Sequence, residues 1–237
     1  MANHDINHKH HVYWNMIYDP LKLKIEYLDT VWKYFSWEKV NFANWYRDNV
    51  NEQTPSDQVK YLKKTEAKIQ QLFPHNFLST NLTQIYTILE VSLGHICYEL
   101  ERRKKIVLSE EEKGKIKKTK DNFLHLKILL KHLDFSIVDL NPMYNEIRQF
   151  QKLRNCIAHQ GDRIAMSKPD DSSFRNFLQN LDGVNEDDTL WIQEGGLNNY
   201  IIASDYPNKR LFNISLEFFR KLLELSYPTD DKKLWEE

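Results

Sequence analysis

Cysteine is nearly absent: Cys97 and Cys156 are the only two in 237 residues. That excludes a small disulfide-stapled scaffold and leaves no zinc-type cysteine spacing. Glycine and proline are also scarce, at 6 and 7. That excludes collagen-like and loop-dominated architectures and favours helix. No run approaches the roughly 20 apolar residues that a spanning helix needs. An excess of one charge is missing too: 33 Lys and Arg stand against 34 Asp and Glu. The whole chain therefore carries no global electrostatic signature of a nucleic-acid partner. Phosphate loops, dinucleotide fingerprints, zinc spacings and Ser-His-Asp signatures are absent, so no cofactor or metal is expected. The N-terminus shows no basic-then-apolar signal pattern, and the expected address is cytoplasmic.

What remains is periodicity. Asp19-Pro20 reads as a helix start, followed by Leu21, Ile25, Leu28, Trp32 and Phe35 at helical spacing. Segment 36–55 is aromatic and reads as irregular. Ser56 is placed to cap a second helix with Val59, Leu62, Ile69 and Leu72, which Pro74 stops. Leu82, Ile85, Leu89, Leu93, Ile96 and Leu100 form a long stripe. Ser109 to Glu112 is a capping-box pattern, opening a helix expected to carry Ile116, Phe123, Leu126, Leu130 and Leu133. Asn141-Pro142 starts another helix, with Met143, Ile147, Phe150 and Ile157, and Gly161 is placed to end it. Residues 162–188 read as a polar loop with a short helix near 174–181. Residues 189–193 and 199–203, flanking Glu194-Gly195-Gly196, read as a β-hairpin. A last helix carries Ile214, Phe218, Leu222 and Leu225 and ends at Pro228. The expectation is an all-α protein: an antiparallel four-helix bundle over 77–228 with a small hairpin before its last helix. A helical extension (1–76) precedes it and a tail (229–237) follows.

One residue breaks the pattern. With Met143 at zero on an ideal helix, Ile147 falls at about 40°, Phe150 at about −20° and Arg154 at about 20°. An arginine thus occupies the apolar stripe, where it needs an anion, a partner or a solvent-filled groove. His159 follows five residues later, at the helix end. Favourable interaction with the helix dipole, or an ion pair between Arg154 and Glu90, would account for these residues structurally. Arg154 and His159 differ by about 140° in azimuth and about 7.5 Å along the axis. They converge only if the helix end deforms or a second subunit completes the site.

The run Leu153-Arg-Asn-Cys-Ile-Ala-His159 resembles the signature of the HEPN superfamily: Arg, a polar residue, three residues, then His. The helix Ile85-Tyr-Thr-Ile-Leu-Glu-Val-Ser-Leu-Gly-His-Ile-Cys97 is similar to the family's first core helix. The resemblance covers about 77–228. It implies a homodimeric, metal-independent endoribonuclease that cleaves RNA through its 2′-hydroxyl and leaves a 2′,3′-cyclic phosphate, in a toxin or antiviral-defence setting. It also implies residue roles. Arg154 would hold the scissile phosphate, His159 would act as general base or acid, and Asn155 would orient one of them. Glu90 would be an auxiliary or a pair for Arg154. An antitoxin or regulatory protein is a further partner the resemblance allows. Gly161 stands where one toxin branch carries a tyrosine that its antitoxin modifies, so that form of control is not implied. The family also holds members that bind RNA or proteins without cleaving.

Three local features complete the reading. Residues 101–120 carry nine Lys or Arg and four Glu, so Arg102, Arg103, Lys104 and Lys105 are candidates for RNA phosphates, with a solvated connection as the plainer alternative. Residues 170–188 are strongly acidic and unsuited to RNA. His4, His8, His10 and His11 form a terminal cluster that reads as solvated rather than metal-binding. The aromatics Tyr13, Trp14, Trp32, Phe35, Trp37 and Trp45 read as core.

Overall fold

The structure, a computed structural model, describes residues 12–135, 138–160, 164–165, 172–186 and 199–226. It is all-α with one small sheet. The helices are α1 (Asp19–Asn49), α2 (Ser56–Ala67), α3 (Phe73–Arg103), α4 (Glu110–Thr119), α5 (Asn122–His132), α6 (Asn141–Gln160), α7 (Ser172–Asn180) and α8 (Tyr206–Ser226). Wide helical turns lead into α1 (Val12–Tyr18) and into α3 (Lys68–Leu72), and residues 76 and 77 lie within α3. The strands are β1 (Ile164–Ala165), β2 (Val184–Glu186) and β3 (Asn199–Ile202), in the order β1-β3-β2. Among the described residues no helix is long and apolar enough to cross a membrane.

Several expectations are corrected. Residues 36–49 are helical, continuing α1 without a break. The aromatic content that made them look irregular does not oppose helix; it places Trp37 and Trp45 on the surface, not in a core. Ser56 is not the cap of α2: Pro55 holds that position, with no side-chain cap bond. Pro74 does not stop a helix but sits at the second position of α3, where its missing N–H is tolerated. The single helix expected from Ser109 is two. Lys120 turns left-handed (φ 51°), and the Asp121 carboxylate accepts from Phe123 N and Leu124 N at 3.0 and 3.3 Å to cap α5. Gly161, the strand expected at 189–193 and the His4–His11 cluster lie outside the described residues, as does the side chain of Trp14. β3 instead pairs with Val184–Glu186.

The capping box at Ser109 forms as read, with Glu112 N donating to Ser109 Oγ at 3.2 Å and Ser109 N donating to Glu112 Oε2 at 2.9 Å. α7 occupies the place read as a short helix.

The described residues fall in two compact units. The first lies within Met1–Lys22, Ile85–Arg148 and Phe212–Glu237. Its core joins α3, α5, α6 and α8. Phe123 lies edge-on to Tyr144 (5.5 Å) and against Phe218 (6.0 Å), and Asn122 Nδ2 donates to Glu90 O at 2.8 Å. Burial raises the Cys97 thiol pKa well above its ordinary value, with the nearby Glu101 charge adding to the rise. This thiol is a small core group, donating to Asn122 O at 3.6 Å.

The second unit lies within Leu23–Gln84 and Gln149–Leu211. Here α3 anchors the sheet through His75, which is 1% exposed and accepts from Ile202 N at Nδ1, 2.9 Å away. Asn208 Nδ2 donates to Leu78 O at 3.0 Å, tying α8 to the same helix. His75→Ala is expected to orphan the Ile202 amide and cost about 1–3 kcal/mol from that group alone. Urea denaturation of both proteins measures it, and a difference near zero would remove the role assigned to this bond.

Candidate functional site

α6 carries the site residues. Met143, Ile147, Phe150 and Leu153 are buried; Arg154 and Ile157 are only half-buried, and Asn155 and His159 are exposed. The buried seam turns toward Leu153 and fades over the last two turns. Arg154 therefore does not sit in the centre of a sealed apolar stripe, as its azimuth suggested. It is half-buried near the end of α6: the Nε of its guanidinium is sealed from solvent, while Nη1 reaches the exposed Asn155.

The guanidinium is directed locally. Arg154 Nη1 donates to Asn155 Oδ1 at 2.9 Å, so the structure brings together two of the three residues of the motif. It does not bring His159 to them. α6 remains regular through Gln160, which removes the deformed helix end as a way of making them converge. Within one chain the two side chains leave the axis about 140° apart.

Glu90 lies half-buried in α3, in the first unit, and its backbone carbonyl is used by Asn122. Cys156, between Asn155 and Ile157, is half-buried and outside any disulfide. The other arginine of α6, Arg148, pairs with Asp121 at 2.7 Å. The sequence reading passed over it. Its partner is the cap of a different helix, α5, and no local spacing signals that pairing.

The basic stretch is less open than its charge count implied. Glu99 takes Arg102 (Nη2 at 2.8 Å, Nε at 3.3 Å) and Arg103 (Nε at 3.0 Å). Lys113 pairs with Glu110 at 2.8 Å and Lys115 with Glu111 at 2.6 Å. Lys104 and Lys105 are exposed, and Lys105 turns left-handed just past α3. Hydrogen bonds from Arg102 and Arg103, with their charges, hold the Glu99 pKa down, to about 2. A carboxylate lowered in the folded state stabilises above its unfolded pKa. That contribution disappears as pH falls from about 4.5 toward 2. Glu99→Gln is expected to cost less than about 1 kcal/mol at neutral pH, because the group is partly exposed and screened. Wild type and variant should converge near pH 2 when thermal unfolding is followed across that range.

Among the described residues, no three His, Cys, Asp or Glu side chains gather where a cation could be held. Comparison with protein-family models, with curated proteins and with solved structures finds no match.

Proposed function

We propose that the protein is a metal-independent endoribonuclease that acts as a homodimer, with a toxin or antiviral-defence role as its setting. The observation that carries this reading is the exposed end of α6, where Arg154 is hydrogen-bonded to Asn155 and followed by a solvent-facing His159. A guanidinium there can hold a phosphate through two parallel bonds and stabilise the extra negative charge of a five-coordinate phosphorus. Imidazole takes and gives protons near neutral pH. In the proposed reaction the 2′-oxygen loses its proton to a base and forms a bond to phosphorus. The bond to the 5′-oxygen breaks and that oxygen gains a proton, leaving a 2′,3′-cyclic phosphate and a 5′-hydroxyl. Because Arg154 and His159 diverge in one chain, two copies of α6 facing across one cleft are required to supply both groups to one phosphate. The partners implied are RNA and a second copy, with an antitoxin or other regulatory protein.

A second reading is favoured by that same divergence: a HEPN-like module that binds RNA or protein at this helix end without cutting. Incubating the purified protein with total RNA in EDTA separates the two. Cleavage to cyclic-phosphate ends, absent with Arg154→Ala and His159→Ala, supports the enzyme. Identical RNA patterns from wild type and both folded variants would leave only the binding module.

A further inference from the structure

Helix α1 has two apolar faces. One packs inward: Leu28 is fully buried, and Phe35 lies 5.4 Å from the Phe77 ring of α3. The other holds Leu23, Tyr27, Tyr34, Trp37 and Trp45, which are between 46% and 65% exposed, with Tyr27 at its edge and 5.9 Å from the same Phe77 ring. With Leu23 at zero, these five fall within about 40° of one line, over about 33 Å of helix. Soluble helices ordinarily keep such a face polar.

We infer that this face is where a second copy of the chain docks, α1 against α1 in antiparallel fashion. Three observations select this occupant. The first is spacing. Positions 23, 27, 30, 34, 37 and 41 alternate steps of four and three, the repeat by which one helix seats its side chains between those of another. The second is area. An aromatic side chain carries about 150–250 Å², so five residues about half exposed offer on the order of 500 Å². Two copies bury on the order of 1,000 Å², the lower end of a specific interface.

The third is charge. Lys24 and Glu38 lie on the same flank of the stripe, on either side of its midpoint. A two-fold axis near residue 32 sets Tyr27 against Trp37 and Thr30 against Tyr34. It also places each Lys24, whose Nζ donates to Gln84 Oε1 at 2.7 Å in its own chain, on the side of the Glu38 of the second copy. Lys33 lies beside the axis on the other flank, exposed and able to turn to solvent.

The pairing does not depend on ribonuclease activity, since its readout is mass rather than cleavage. Light scattering after size exclusion, over a concentration series, tests it with Trp37→Glu and, as a milder variant, Thr30→Arg. Thr30 is exposed, and its hydroxyl donates only within its own helix, to Glu26 O at 2.9 Å. Both variants are expected to keep the wild-type circular dichroism and to halve the number of copies in the assembly. In a Cys156→Ser background, Lys33→Cys treated with a short bis-maleimide is expected to give a covalent dimer that Cys156→Ser alone does not give. A wild type that stays at 28.5 kDa throughout overturns the proposal, as does Thr30→Arg keeping the wild-type mass. Unchanged mass with weakened binding of a labelled single-stranded RNA also overturns it, and assigns the aromatic stripe to base stacking instead.

Discussion

Arg154→Ala and His159→Ala are each expected to lower RNA cleavage by about 10²–10⁴-fold while leaving the folded state almost intact. The range for the histidine is that of a lost general acid or base. For the arginine it reflects the loss of fixed positive charge aimed at a developing anion. The two effects should not add, because groups that act on one phosphate in one step fail together. Arg154→Lys should rescue little, since an ammonium cannot reproduce two parallel bonds to phosphate oxygens. Asn155→Ala removes one neutral acceptor from the guanidinium and should cost far less, about 2–10-fold, the range of a single net hydrogen bond. The site's exposure makes the experiment clean. His159 and Asn155 face solvent and Arg154 is half-buried, so truncation opens no large cavity. Cleavage rates on a labelled RNA, measured beside urea midpoints, check both halves of this expectation. Wild-type rates in both alanine variants would end the ribonuclease proposal.

How far the sequence reaches depends on how far apart the determining residues lie. The seam of α3 was legible, because Leu82 to Leu100 repeat at helical spacing and every one of the six is buried. The Ser109 box was legible for the same reason, since its partner lies three residues on, and α6 begins at Asn141 where it was expected, though with Asn141 inside the helix rather than capping it. The split between α4 and α5 was not legible. Lys120 and Asp121 look helix-compatible in isolation, and what fixes Asp121 includes Arg148, 27 residues on. The anchoring of β3 on His75 spans 127 residues and has no sequence signal at all. At the site, the motif residues were legible in the run itself, but the Arg154–Asn155 bond joins adjacent residues that helix geometry alone does not turn toward each other. The degree of burial of Arg154 was not legible either, because azimuth on an ideal helix says nothing about where the neighbouring elements end. The aromatics of α1 show the same gap. Periodicity placed Trp32 and Phe35 on a helix but lost Trp37 and Trp45 to a segment read as irregular, and which face meets the core is decided by Phe77 and its neighbours in α3.

Phe150→Ala is expected to produce the largest loss of stability in the second unit, about 3–5 kcal/mol. Phe150 is fully buried, and its ring stands edge-on to Phe177 at 5.2 Å. Phe177 in turn stacks on Phe174 at 6.3 Å, and Gln149 Nε2 donates to Ser173 Oγ at 3.0 Å. Phe150 is thus the point at which α6 fastens α7. Removing the ring leaves a cavity and forfeits about 0.5–1.5 kcal/mol of edge-to-face attraction. Phe177→Ala should cost less, because that ring is half-buried and water can enter the space it leaves. Against a total stability of about 5–15 kcal/mol, the Phe150 change takes a large fraction. It should appear as a lower urea midpoint with the slope unchanged. A loss under about 1 kcal/mol would contradict the packing described for α6. The consequence for chemistry follows from position. Arg154 lies one helical turn beyond Phe150, so a loosened α6 can no longer hold the guanidinium to one geometry. Phe150→Ala should therefore lower stability and cleavage together, whereas His159→Ala lowers cleavage alone. A Phe150→Leu variant, which refills most of the volume, should recover both in step if the ring acts only through packing.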